Sequence, residues 1–249
     1  MKPSRTRLDV ALTERGLVET RSKAQALIMA RRVTVNERCV DKPGTAVAAE
    51  DALRVVALDH PWVGRGGVKL AHAVQEFAIG LEGKTCLDIG ASTGGFTDVM
   101  LKNGAARVYA VDVGYGQIDA SLRNDPRVVN RERVNARYLT GNDFDEPIHF
   151  VSIDVSFIPL KLILPAVVEI LDDGGELVAL IKPQFEVGKA DVGKGGIVRD
   201  AAKREAAVAA VRATLESLRF AIVGLIESPI KGAEGNVEYL IYARLRREA

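Results

Sequence analysis

A chain of 249 residues, 47% hydrophobic and 27% charged, can bury one large α/β core with a small companion and has the composition of a soluble globular protein. Its net charge of +1 excludes a uniformly polyanion-binding surface, and no apolar run approaches the ~18 residues that read as a membrane span. The richest run, Leu160 to Leu171, is broken by Lys161, Pro165 and Glu169. The polar, basic first residues contain no apolar signal core, so a cytoplasmic protein is expected. Cys39 and Cys86 fall in different predicted domains and lack metal-ligand spacing. They are expected to be buried thiols of a reducing compartment, and no metal site is expected.

The charge is unevenly spread. Met1 to Arg32 carries eight Lys/Arg against three Asp/Glu, which leaves the remainder at about −4. A basic front end on a near-neutral body points to a polyanion-binding module attached to something else. The pattern from Arg7 to Leu12 predicts a helix with Leu8, Leu12 and, past Gly16, Leu17 as its apolar positions. A second helix is predicted to start at Thr20–Ser22 and run through Ala24, Leu27 and Ile28, with Arg21 and Lys23 beside a hydroxyl cap where phosphate is favoured. Arg31 and Arg32 end it, Val33–Asn36 begins a strand, Asp41–Gly44 turns, and Leu53–Val56 is another strand.

Two short helices and a few small strands with basic residues at the helix ends resemble the S4-type RNA-binding domain. The likeness is carried by Arg7-Leu8-Asp9, Arg21-Ser22-x-Ala24, Val33-x-Val35-Asn36 and Lys42-Pro43. It implies RNA contacts from Arg7, Arg21, Ser22, Lys23, Arg31 and Arg32. The chain departs from the pattern at the turn, where Asn36-Glu37 stands instead of glycine. The expected division is a front domain at 1–59, a linker at 60–67 and a main domain at 68–249, with Trp62 packing the two domains together.

Val68 to Ile79 is predicted as a helix carrying Lys69 near its start. The helix dipole disfavours a cation there, so a nearby carboxylate is expected. Cys86 to Asp98 then reads as a buried strand, a glycine-rich turn and a helix opened by Ser92 or Thr93. Asp112 closes the strand Val108–Val111 at the distance expected of a ribose-binding acid. Gly90-x-x-x-Gly94-Gly95 is neither the dinucleotide fingerprint nor a P-loop, and fits the looser pattern of S-adenosylmethionine pockets. The same residues spell G-x-S-x-G, but a hydrolase would need a later histidine, and His149 is placed at a strand start.

Further strands are predicted at Val128–Val129, Phe150–Ile153, Leu177–Ile181, Phe220–Ile226 and Val237–Leu245, with helices at Gly95–Asn103, Pro159–Leu171 and Asp200–Leu218. The alternation of the last strand suggests an antiparallel edge. The expected fold is α/β, a doubly wound Rossmann-like sheet of the class I methyltransferase layout behind the small α+β front domain.

Ligands of such sheets sit beyond the carboxyl ends of the strands, where Asp88, Asp112, Arg133–Asn135, Asp154 and Lys182 are predicted to cluster. Lys69 and Glu238 complete a group of two cations and two anions, whose zero net charge makes partial burial tolerable. Lys69, Asp154, Lys182 and Glu238 match in order the Lys-Asp-Lys-Glu tetrad of FtsJ-like ribose 2′-O-methyltransferases. With the front domain, Asp154-Val155-Ser156-Phe157, Lys182-Pro183-Gln184-Phe185-Glu186 and Gly195-Gly196-Ile197-Val198-Arg199-Asp200, nearly the whole chain resembles the TlyA family, some of whose members are labelled haemolysins. That resemblance implies methylation of cytidine 2′-hydroxyls in 16S and/or 23S ribosomal RNA, with ribosomal subunits as partners and S-adenosylmethionine as donor. Lys182 would then take the hydroxyl proton or stabilise the developing alkoxide, with Asp154 and Glu238 orienting the lysines. Gly90, Ala91, Ser92, Gly94, Gly95, Phe96 and Thr97 are assigned to the methionine end, Asp112 to the ribose, Val113, Arg133 and Asn135 to the adenine, and Asp154 to the methyl. Lys189, Lys194 and Arg199 form either an RNA grip or a solvated loop. Two competing readings are a non-catalytic RNA-binding assembly factor and a pore-forming cytolysin.

Overall fold

The computed structural model describes residues 5–29, 32–56, 60–188, 191–232 and 234–246. The candidates Arg31 and Lys189 lie outside the described residues. The chain divides into two compact units, residues 1–61 and 62–249.

In the first unit, β1 (Thr6–Arg7) leads into α1 (Leu8–Glu14), α2 (Arg21–Met29), β2 (Val33–Val35), β3 (Arg38–Val40), β4 (Ala46–Val47) and β5 (Leu53–Val55). β2 lies between β3 and β5, antiparallel to both, and β1 pairs with β4. Thr6 and Arg7 are therefore held by strand pairing, and the first helix starts only at Leu8. Leu8, Leu12, Ala24, Ile28 and Val33 fill the core, as their helical and strand spacing requires. Leu17, expected in that core, is exposed; Val18 is buried instead. The cause is Gly16, whose left-handed backbone (φ +68°) reverses the chain so that the amides of Leu17 and Val18 both reach the Leu12 carbonyl. Asn36 and Glu37 both adopt left-handed conformations (φ +48° and +66°), so a two-residue primed turn closes the β2–β3 hairpin without glycine. The Asn36 side chain steadies it, donating to Asp51 and accepting from the Ala52 amide. Cys39, expected inside, is exposed on β3.

The second unit runs α3 (Gly66–Glu76), β6 (Thr85–Ile89), α4 (Gly95–Lys102), β7 (Arg107–Asp112), α5 (Ala120–Arg123), β8 (Val128–Glu132), β9 (Ile148–Ile153), α6 (Leu164–Ile170), β10 (Leu171–Ile181), α7 (Pro183–Glu186), α8 (Ala201–Ser217), β11 (Phe220–Glu227) and β12 (Tyr239–Leu245). One seven-stranded sheet has the order β11-β12-β10-β9-β6-β7-β8. Strands β6 to β10 pair in parallel, and β12 is antiparallel to both neighbours. Two apolar clusters cover the two faces of the sheet, which is why its inner strands are continuous hydrophobic runs.

Two expectations are corrected here. The last strand is internal, because Leu240 to Ala243 are consecutive apolar residues buried on both faces, and the edge belongs to β11. The helix expected at Pro159–Leu171 is split into a 3₁₀ turn at Leu160–Leu162 and α6, and Leu171 already belongs to β10. Trp62 packs within the second unit. Its ring lies against Gly67, where a Cβ would collide with it, and Lys102 of α4 sits over it at 5.1 Å. Beside it the Val63 amide donates to Asp98 of α4.

Asp88 of β6 is wholly buried and faces inward, not into the cleft. One carboxylate oxygen accepts the Thr97 amide and hydroxyl at 2.9 and 2.7 Å, and the other accepts the Ser152 hydroxyl at 3.0 Å, tying β6 to α4 and β9. Burial lifts this carboxyl to about 7, against the pull of those hydrogen bonds. The folded state therefore binds the proton more tightly than the unfolded chain, whose aspartates ionise near ~3.9. This contribution to stability is complete below that value and declines as pH rises towards about 7. Asp88→Asn, which can accept from Thr97 and donate to Ser152, is expected to flatten the fall in Tm between about pH 4 and pH 7 seen by calorimetry; an unchanged slope would rule out this carboxyl as its source.

Candidate active site

The glycine turn after β6 is built by backbone conformations that side chains resist. Gly90 and Gly94 sit at φ +84° and +92°, and a Cβ on either would collide, with the Asp154 carbonyl and with Leu122 respectively. The helix starts at Gly95 as expected, but its cap is left-handed Gly94 in place of Ser92 or Thr93, and Ser92 is itself left-handed. The Ser92 amide donates to Asp112 at 2.8 Å, and the other oxygen of Asp112 accepts the Gly114 amide at 2.7 Å. The acid that ends β7 is thus locked to the glycine turn while it still lines the space beyond it.

That space is a cavity of about 460 Å³. Gly90, Ser92, Asp112, Val113, Asn135 and Asp154 line it, as expected, with apolar walls from Ile89, Val111, Val134 and Ile163. A smaller cavity of about 110 Å³ shares Gly90, Ser92 and Asp154 with it and is also lined by Ala91, Gly95 and Phe96. Asp154 therefore stands where the two cavities meet. Three expected contacts line neither cavity. Gly94 is consumed by packing against Leu122, and Thr97 is buried with its hydroxyl on Asp88. Arg133 turns away in a left-handed conformation and lays its guanidinium over Tyr115 at 4.3 Å. Gln117 lines the larger cavity without having been foreseen, accepting from the Ser92 hydroxyl at 3.3 Å. It comes from an irregular loop whose path no periodicity reveals. The hydrolase alternative fails on geometry: His149 opens β9 at the opposite end of the strand from Asp154, where it accepts from the Thr85 amide.

The four charged candidates form two ion pairs. Register explains the first meeting: Ile181 of β10 lies opposite Tyr239 of β12, so Lys182 and Glu238 are the next residues outward on adjacent strands. Lys69 Nζ lies 2.6 Å from Glu238 Oε2 in a buried pair. Lys182 Nζ lies 2.6 Å from Asp154 Oδ1 and donates to Ser156 Oγ at 2.9 Å. Gln184 of α7 donates to the second oxygen of Glu238 at 3.5 Å, so the stretch 182–184 touches both pairs. A Cβ at Gly232 would collide with the Glu238 carboxylate, so a glycine there is needed to seat it. Lys69 and Glu238 are buried, and Lys182 and Asp154 are half-buried beside the open cavity. An apolar cavity with a carboxylate at its rim and another at its inner end suits an adenosine joined to a cationic group.

In the first unit, Arg7 and Arg21 each place Nε 3.0 Å from the fully buried Asp9, and Gln25 donates to it at 2.7 Å. The Arg7 guanidinium holds this carboxyl well below the usual range. Both arginines remain about half exposed, so one inward acid presents two oriented guanidiniums to the outside. Ser22 is exposed on α2, and Lys23 pairs with Glu19 at 3.0 Å. Arg32 is spent on the fold, donating to the Val56 carbonyl through two nitrogens.

Residues 62–245 match the family model of FtsJ-like methyltransferases, and residues 6–53 match that of the S4 domain. The chain is 47% identical to the Mycobacterium tuberculosis protein named 16S/23S rRNA (cytidine-2′-O)-methyltransferase TlyA, over 98% of this chain and 91% of that one. It is 45% identical to hemolysin A of Brachyspira hyodysenteriae, over 95% of this chain and 98% of that one. A solved structure called a "putative hemolysin" from Streptococcus thermophilus superposes with a TM-score of 0.77 at 45% identity, covering 98% of this chain and 90% of that one.

Removing one member of a buried pair strands the other charge, at a cost of roughly 3–5 kcal/mol, whereas removing both spares that penalty. Glu238→Leu is therefore expected to lower the unfolding free energy by about that amount in chemical denaturation, and Lys69→Met with Glu238→Leu to recover most of it. Additive losses in the double variant would contradict a coupled pair.

Proposed function

This chain belongs to the FtsJ-like methyltransferase family and carries an S4 domain, and from that premise we infer that it transfers the methyl group of S-adenosylmethionine to the 2′-hydroxyl of cytidine in 16S and/or 23S ribosomal RNA. The observation that carries this reading is the pairing of Lys182 with Asp154 and of Lys69 with Glu238 beside the large cavity. The sulfonium of S-adenosylmethionine supplies a methyl already activated for transfer, so the protein needs no side-chain nucleophile. Its own residues have two tasks. The cavity walls and Asp112 hold the donor, and the ion pairs manage the proton and charge of a weakly acidic hydroxyl.

Lys182 is the group for the second task. Ion-paired with Asp154, it would donate a hydrogen bond to the 2′-oxygen as that oxygen bonds to the methyl carbon, the carbon–sulfur bond breaking to leave the thioether and the hydroxyl proton passing to solvent. Lys69 and Glu238 neutralise each other behind it, and Gln184 ties Glu238 to the Lys182 segment. Arg7 and Arg21, fixed by Asp9, capture the RNA backbone, with the ribosomal subunits as partners and the cytoplasm as the site of action.

Lys182→Ala is expected to bind S-adenosylmethionine with unchanged affinity in calorimetry and to lose about 100- to 1,000-fold in methyl transfer to deproteinised ribosomal RNA or isolated subunits. Transfer at the normal rate would remove the proposed role, and a wild-type protein that transfers nothing would leave the assembly-factor reading. Replacing Arg7 and Arg21 together by Ala is expected to weaken RNA binding and to reduce the slope of log K against log salt by about 1.4 to 1.8, as two lost phosphate contacts require. Donor affinity in that variant should not change. The haemolysin label of the relatives has its own test. Among the described residues no helix is long and apolar enough to cross a membrane, and the purified protein is expected to leave liposome contents enclosed.

A further inference from the structure

Lys182 has a second partner that the four-residue group does not include. Its ammonium touches Asp154 Oδ1 at 2.6 Å and Ser156 Oγ at 2.9 Å, and both partners come from the turn that follows β9. The Lys182 side chain is only 11% exposed, while Ser156 is exposed and lines the large cavity together with Asp154. The turn is tied to α7 at two points. Phe157 takes a left-handed conformation (φ +66°) directly after Ser156 and packs on Phe185 of α7 at 5.0 Å, and the Leu160 amide donates to Glu186 of the same helix.

We propose that Ser156 is a positioning residue for methyl transfer, fixing, beside the Asp154 counter-charge, the direction in which the Lys182 amine faces the attacking 2′-oxygen. The proposal rests on the methyltransferase reading above. A lysine reaches its site through four rotatable bonds, and an ammonium anchored by one carboxylate alone still swivels about that contact. The Ser156 hydroxyl accepts one of the three N–H donors at 2.9 Å, while Asp154 holds the ammonium as a counter-charge at 2.6 Å, so the two together restrict how the ammonium turns. Ser156 touches neither the methyl nor the target oxygen in this scheme; it acts through Lys182.

The test compares Ser156→Ala with Ser156→Thr, which keeps the hydroxyl. Ser156→Ala is expected to lower kcat about tenfold or more, as the loss of a hydrogen bond to a charged group implies, with KM for ribosomal RNA and the affinity for S-adenosylmethionine within about twofold of wild type. Ser156→Thr is expected to restore most of the rate. A readout independent of turnover is the lysine ammonium ¹H–¹⁵N signal of Lys182, protected from exchange in wild type and Ser156→Thr and lost in Ser156→Ala. Unaltered kcat in Ser156→Ala, equal losses in both variants, or a rate that falls in step with donor affinity would each overturn the proposal. A wild-type protein that transfers no methyl group would refute the methyltransferase reading, and the ammonium signal would still decide whether Ser156 holds Lys182.

Discussion

Charge neutrality in a confined space is the constraint on which the second unit depends. Two lysines are drawn into the carboxyl end of the sheet, where each would be costly alone, and each is met by one carboxylate. The partners come from four separate places in the chain: α3, the turn after β9, the end of β10 and the residue before β12. Only a sheet with this strand order brings them together. The fold is in that sense a device for spending sequence separation on local electrostatic balance, and the cavity beside the pairs is where the balance becomes chemistry.

Small residues give the arrangement its tolerances. Gly90 keeps clear of the Asp154 carbonyl, Gly94 of Leu122, Gly67 of Trp62 and Gly232 of Glu238. Glycine here serves close packing of backbone against functional groups, and at Gly90 and Gly94 it also serves a left-handed turn. The first unit solves a different problem with the same economy. Asp9 is buried so that Arg7 and Arg21 need not be, and a carboxylate inside the domain governs the direction of positive charge outside it.

Much of this was legible from residue types. Continuous apolar runs marked the parallel strands, and the polar residues that ended them marked the cleft, so Asp112, Asp154 and Lys182 could be placed without coordinates. What escaped the sequence has physical causes. Asp88 and Asp112 are both acids on apolar strands, and only packing decides that the first points into α4 and the second lines the cavity. Tyr239 to Leu245 alternates in one reading and is uniformly apolar in another, and its central position shows only when both neighbouring strands are paired. Arg133 and Thr97 lie close in sequence to true lining residues, yet a left-handed backbone turns one away and a buried carboxylate claims the other. Gln117 and Ser156 lie on irregular segments, where no repeating pattern announces a side chain's direction.

The insertion of β12 between β10 and β11 has a bearing on how the molecule comes into being. During synthesis every parallel strand, and β11 as well, emerges before residues 239–245, so β11 has no neighbour in the sheet and β10 keeps an open flank until the final strand is made. Glu238 stands at the threshold of that strand, and Lys69 therefore waits through the translation of 169 further residues for its counter-charge. Pairing of Lys69 with Glu238 and closure of the sheet are thus one late event, and a nascent chain halted short of it holds an uncompensated lysine.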